Sequence, residues 1–207
     1  AVTFVGVNTP AQATGVKAVN TANRKARISW EAPAVDKDGY PIAASIVKYD
    51  VTRKRIYTSE VTTVATDLTE LSYEDEVPAV PEDAEEHQDF YTYSVIAKTA
   101  EGEAAPANAD YVPLGEPYAV PYLESFPRGR ATHIFTTSPL SGTSYWGQTS
   151  DFEDVSSADG DNGMIYLSGP IDGASSVHTG LIDLAGLPSP TLSYYTYNLT
   201  GCDPADH

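Results

Sequence analysis

The residues best suited to chemistry lie in the second half of the chain. Asp159-Gly160-Asp161-Asn162-Gly163 offers two carboxylates one residue apart, with glycines that permit a tight turn. Calcium takes several oxygen ligands, and such a loop supplies some of them. No glutamate follows at the spacing of a twelve-residue helix-loop-helix site, so distant residues would have to complete the shell. Asp151, Asp154 and Glu124 are available for that. The same five residues also make a good turn with no ion. Calcium is the one cofactor the sequence suggests.

Aromatic residues form the second group. Tyr145 and Trp146 sit among Ser, Thr and Gly, which is how a sugar-stacking platform looks. Tyr195 and Tyr197 would share one face of a strand, with Tyr194 on the other. These four, Tyr145, Trp146, Tyr195 and Tyr197, are the candidate ligand-binding residues. The alternative is that both faces are packed. Asp151 and Glu153 would share a strand face roughly 7 Å apart, within the range of glycosidase carboxylate pairs. The Glu-x-Asp-x-x-Glu strand pattern of such glycosidases is absent, and a solvated acidic loop is the preferred reading.

Other catalytic arrangements are missing. His87, His133, His178 and His207 are scattered, and Cys202 is the only cysteine. No nucleophile elbow, paired Cys-x-x-C, zinc-protease helix motif or phosphate-binding glycine loop occurs. The chain reads as non-enzymatic. Arg128-Gly129-Arg130 is not a cell-attachment triplet. Asn198-Leu199-Thr200 is a glycosylation sequon that matters only in a eukaryotic secretory setting.

Composition narrows the partners. The 207 residues carry a formal charge of −17, with 29 acidic against 12 basic side chains. That disfavours nucleic acids and anionic membranes. No apolar run reaches the roughly 18–20 residues of a membrane span. One cysteine excludes an intrachain disulfide. There is no basic, then apolar, opening of a signal peptide. The reading is a piece of a longer protein. Ten of the 12 basic residues precede Pro117, a composition shift that suggests two domains.

Strands must position these groups. Phe90 to Ala97 alternates, with Tyr91, Tyr93, Val95 and Ala97 on one face. Other predicted strands are Thr14–Val19, Ala26–Trp30, Ile46–Arg53, Thr58–Ala65, one from Leu71, and one around Ala107–Val112. Pro33 and the Asp36-Lys37-Asp38-Gly39 turn punctuate them. Beyond Pro121 the expected strands are Ile134–Thr137, Met164–Leu167, Val177–Leu184 and Thr191–Leu199. Ala1–Val7 is a leading strand or linker. No helical periodicity appears.

Trp30 on an early strand, Tyr49-x-Val51 on the next, then Tyr91-x-Tyr93-x-Val95-x-Ala97 resembles a fibronectin type III domain over about residues 10–117. The resemblance implies a β-sandwich with Trp30 in the core and Tyr91 as a corner tyrosine bonding the upstream backbone. The stretched link Glu82–His87 departs from the family pattern. Residues 118–207 resemble the start of a concanavalin-like jelly roll of the MAM or cleaved-adhesin type found in bacterial surface proteins. Tyr122-Leu123-Glu124-Ser125-Phe126, the Trp146 region, the Asp159 loop, and Gly180–Leu184 with Pro190–Tyr197 carry that likeness. Such a domain would continue past His207.

The expected fold class is all-β: an immunoglobulin-like sandwich, then a partial jelly-roll sandwich. Residues 1–9 are a leading segment. The expected role is adhesion or binding at a cell surface or outside the cell, with carbohydrate or another surface protein as partner. Unpaired edges leave room for dimerisation or strand exchange. Two other roles stay open: an accessory region of a secreted glycoside hydrolase or peptidase, and a purely structural spacer.

Overall fold

The structure is a computed structural model that describes residues 8–56, 58–84, 87–124, 126, 135–143, 145–149, 164–168 and 174–196. The first half is built from strands β1 (Thr14–Ala22), β2 (Lys25–Glu31), β3 (Lys48–Arg55), β4 (Val61–Leu68), β5 (Ser72–Glu76), β6 (Gln88–Thr99), β7 (Gly102–Glu103), β8 (Ala107–Asn108) and β9 (Val112–Gly115). Among the described residues the helical element is one 3-10 turn, Ala44–Ile46, at the start of the expected third strand.

Two sheets face each other. One has the order β1-β2-β5; the other runs β4-β3-β6, with β7, β8 and β9 added in turn along β6. All these pairings are antiparallel. The fold is the all-β, two-sheet sandwich that Trp30, Tyr49 and the β6 alternation implied. In β2, Ala26, Ile28 and Trp30 point in while Arg27 and Glu31 point out. In β6, Tyr93, Val95 and Ala97 are buried. Their cross-strand partners on β3 are Arg53, Val51 and Tyr49. A period of two puts each set on one face, so burial of one residue dictates the next but one.

Trp30 and Tyr49 meet in the core with ring centroids 5.4 Å apart and planes tilted by 58°. Trp30 Nε1 and Tyr49 Oη are buried without a hydrogen-bond partner among the described residues. Their contribution is therefore packing, offset by the desolvation of two polar atoms. An unsatisfied buried polar group costs about 1–3 kcal/mol. Tyr49→Phe, which keeps the ring and removes the hydroxyl, is expected to leave stability unchanged or raise it by about 1 kcal/mol. Urea unfolding checks this; a loss of stability would show that the hydroxyl has a partner in solution.

The two sheets are also joined by charge. Asp75 lies buried on β5 and reaches across to the facing sheet. Arg53 Nη1 donates to Asp75 Oδ2 at 2.7 Å, and Tyr93 Oη donates to the same oxygen at 2.8 Å. Arg53 further lies over the Tyr91 ring, 5.8 Å from its centroid. Among the described residues the Tyr91 hydroxyl makes no hydrogen bond, so the corner bond expected of it is not formed; elsewhere the Tyr73 hydroxyl donates to Val64 O at 3.0 Å. The face of the Tyr91 ring is taken up by the guanidinium, while Tyr73 sits on β5, an edge strand of the three-stranded sheet.

One edge of the larger sheet is β4. Its register with β3 slips twice, on either side of Val51. Asp67 sits at one slip with a left-handed φ of 57°. Its N–H donates to Asp50 Oδ1 at 2.9 Å. Lys98 binds Asp50 at 2.6 Å and Asp67 at 3.4 Å. The Lys98 and Lys48 ammonium groups hold the Asp67 carboxyl below the usual carboxylate range. Irregular register on an edge strand works against addition of a further strand.

Beyond the sandwich lie β10 (Phe135–Ser141), β11 (Tyr145–Thr149), β12 (Met164–Ser168) and β13 (Ala174–Thr179). β10 pairs with β13, and β11 with β12, both antiparallel. The expected strand Val177–Leu184 begins earlier and stops at Thr179. The expected strand Thr191–Leu199 is not formed over 191–196, which have no ladder. Pro188 and Pro190 precede that stretch; neither can donate to a neighbouring strand. The final expected strand of the sandwich, Ala107–Val112, is split into β8 and β9.

Candidate functional site

Of the candidate ligand-binding residues, Tyr145, Trp146 and Tyr195 are described. Tyr145 and Trp146 are neighbours on β11, so they point to opposite faces and cannot form one platform. Tyr145 is 53% exposed. Trp146 is half-buried, and its Nε1 donates to Ser175 O on β13 at 3.0 Å. The indole thus fastens the β11–β12 pair to the β10–β13 pair. Gly147, next along β11, pairs with Tyr166. A side chain at Gly147 would meet the Tyr166 ring, with Cε1 at 2.7 Å. Tyr195 is 88% exposed in a segment without regular structure.

Tyr197 and the proposed calcium ligands Asp151, Asp154, Asp159 and Asp161 lie outside the described residues, as do Glu153, Cys202 and the 198–200 sequon. Glu124 is described: it accepts from Tyr122 Oη at 2.9 Å and from Phe126 N at 2.6 Å. Among the described residues, no three His, Cys, Asp or Glu side chains gather as a metal site would need.

One pair went unnoticed in the sequence. Ser176 and His178 share a face of β13, with Ser176 Oγ and His178 Nε2 2.7 Å apart. A Ser-x-His spacing on a strand was the available signal. A nucleophile needs its base oriented by a third group. Among the described residues no carboxylate contacts His178. The pair is described as a contact and nothing more.

The built feature of this half is the joint with the sandwich. Gln88 opens β6 and is 4% exposed. Its side-chain amide makes two bonds to one backbone unit. Nε2 donates to Leu181 O at 3.0 Å, and Leu181 N donates to Oε1 at 2.6 Å. Tyr118 N also donates to Leu181 O at 2.9 Å, and Asp183 N donates to Tyr118 O at 2.9 Å. These close a parallel bridge between Tyr118 and Ile182. The Tyr118 and Tyr122 rings stack at 4.7 Å.

Two glycines make room for this. A Cβ at Gly180 would come within 2.6 Å of Gln88 Oε1. Gly115, with φ of 134°, packs against the His87–Gln88 backbone so tightly that no side chain fits there. Nothing in the spacing of Gln88 and Leu181, 93 residues apart, announces their contact.

No protein-family model matches the chain, and no curated protein matches it. Among solved structures it is similar to an Fn3-like protein from Clostridium thermocellum, at 25% identity and a TM-score of 0.35, over 56% of this chain and 99% of that one. It is also similar to the fibronectin type-III domain of human fibronectin type III domain containing protein 3, at 15% identity and a TM-score of 0.38, over 55% of this chain and 91% of that one. A third similar structure is that of titin kinase and its flanking domains, at 18% identity and a TM-score of 0.40 over 51% of this chain. The match spans 17% of that longer chain.

Proposed function

We propose that the chain is a non-catalytic binding module of a cell-surface or secreted protein. In this reading the sandwich, about residues 10–117, is a spacer that holds residues 118–207 in a set orientation for a carbohydrate or a surface protein. Residues 118–207 are read as the opening part of a jelly-roll domain of the adhesin type. Calcium would bind there if the Asp159 loop and its distant acidic partners come together.

The carrying observation is the Gln88 joint. A flexible linker between two modules needs no buried amide engaged at both ends with the other module's backbone. A buried polar group with both its atoms satisfied specifies one arrangement, because any other leaves them unpaired. The sandwich strand β9 ends at Gly115, three residues before Tyr118 of the joint.

The test is rotational tumbling by backbone nitrogen relaxation on the full chain. Sandwich and β10–β13 amides are expected to share one correlation time. Gln88→Ala removes both side-chain bonds, each worth about 0.5–1.5 kcal/mol. It is expected to let the halves tumble separately while the sandwich stays folded. Independent tumbling in the unmodified chain would defeat the presentation role. Screening against glycans, with and without calcium, would then separate a binder from a plain spacer.

A further inference from the structure

The last strand of the larger sheet is broken for a definable reason. β8 pairs with β6 through Val95↔Ala107 and Ser94↔Asn108, and β9 resumes at Tyr91↔Val112. Ala109, Asp110 and Tyr111 therefore stand opposite only Thr92 and Tyr93. One surplus residue is a β-bulge, a device that bends a strand and re-aims its side chains. The bulge is held in place: Ala109 N donates to Tyr93 O at 2.9 Å, and Thr92 Oγ1 donates to Ala109 O at 3.0 Å.

The displaced residues wall a depression of about 320 Å³ on the sheet's outer face. Its floor is polar because of the strand period. Thr52, Thr92 and Ser94 alternate with the core residues Val51, Tyr93 and Val95, so their hydroxyls face out. Ser94 Oγ donates to Asn108 Oδ1 at 2.7 Å, which orients that amide and leaves its N–H donors free for a ligand. Lys54 and Val61 close the far side. Among the described residues, Lys54 and Asp110 form no ion pair. Tyr111, 43% exposed, lines the bulge side.

An exposed ring beside hydroxyl, amide, ammonium and carboxylate groups matches one ligand chemistry closely. A sugar presents an apolar C–H face and a rim of hydroxyls that both donate and accept. The volume lies at the lower end of the range for small-ligand sites, about 300–1,000 Å³. A chain of net charge −17 disfavours an anionic sugar. An extended peptide adding as a strand is excluded at this floor: β3 and β6 are interior strands whose backbone groups are already paired. The geometry points to a neutral-sugar site on the outer face of the sandwich, with Tyr111 as the stacking ring and Asn108, Asp110 and Lys54 as hydroxyl partners. The sandwich is then a binder in its own right, independent of what the second half presents.

Nitrogen-15-labelled full chain titrated with glucose, galactose, mannose, N-acetylglucosamine, cellotriose and chitobiose tests this. At least one probe is expected to give saturable shifts at the Thr52, Ser94, Asn108 and Tyr111 amides. Tyr111→Ala is expected to weaken that binding about tenfold, equivalent to 1.4 kcal/mol, at unchanged melting temperature. Should that variant unfold, Asp110→Asn keeps the shape and should weaken binding likewise. Saturation by no probe, shifts confined to the surroundings of Tyr145 and Trp146, or full affinity in the folded variants would overturn the site. A peptide that shifts these amides where sugars do not would overturn it too. None of these outcomes bears on the Gln88 joint, which is read from tumbling.

Discussion

Asp75→Ala is expected to destabilise the sandwich by about 3–5 kcal/mol, the loss seen when one partner of a buried ion pair is removed. The Arg53 side chain is 13% exposed and that of Asp75 is 7% exposed, so water does little to replace the lost carboxylate. Alanine leaves the guanidinium and the Tyr93 hydroxyl without their acceptor, and it does so between the two sheets. A domain of this size unfolds at a few kilocalories to some 15 kcal/mol in total, so the loss is a large fraction. The melting temperature should fall by more than about 10 °C. Double replacement, Arg53→Met with Asp75→Leu, removes charge and countercharge together and is expected to recover most of it, because a buried pair is often no better than apolar residues of like volume. Guanidinium unfolding of the three chains decides the matter. A loss under about 1 kcal/mol for Asp75→Ala would mean that the pair is effectively solvated.

Alkaline pH supplies the second large effect. Burial pushes the Tyr93 hydroxyl well above the ordinary tyrosine value, and its bond to Asp75 and that charge add to the push. Burial likewise raises Tyr49. Ionised tyrosine is the charged form, so a raised value in the fold means that the folded state keeps protons the unfolded chain gives up. Stability from these groups is complete below the unfolded value, near pH 10, and is lost as pH climbs beyond it. Each retained proton contributes a slope of about 1.4 kcal/mol per pH unit. Burial raises Tyr91 as well, so the slope above pH 10 should exceed the roughly 1.4 kcal/mol per unit of a single tyrosine. Denaturant midpoints across that range, followed with tyrosinate absorbance, measure it. Tyr49→Phe should make the slope shallower. A flat profile to pH 11.5 would contradict the burial of both hydroxyls.

These two effects share a cause. The core places polar atoms of three residues, Tyr49, Tyr93 and Asp75, where packing demands their bulk. For Tyr93 and Asp75 the tertiary fold supplies each other and Arg53. For Tyr49 it supplies a ring neighbour, Trp30, and no acceptor. The same fold turns Arg55 toward the buried Asp89 at the start of β6, giving that strand a charged anchor at one end and the Gln88 joint beside it.

Alternation alone determined the sandwich half. Ala26, Ile28 and Trp30, then Tyr93, Val95 and Ala97, each recur with a period of two, and that period admits one inward face. Those inward sets follow from it, although Phe90, on the other face of β6, is buried as well and Tyr91 only half-buried. Four things were decided only in three dimensions. The bulge at Ala109–Tyr111 depends on two surplus-against-deficit registers that no single strand reveals. Tyr91, expected to bond the upstream backbone, meets the Arg53 guanidinium instead. Tyr145 and Trp146 lost their shared platform because consecutive strand residues face opposite ways. Gln88 meets Leu181 across 93 positions, since an amide's partner is set by which backbone the folded chain brings within about 3 Å. Local pattern records which side of a strand is apolar; it carries no record of which distant polar group will be waiting there.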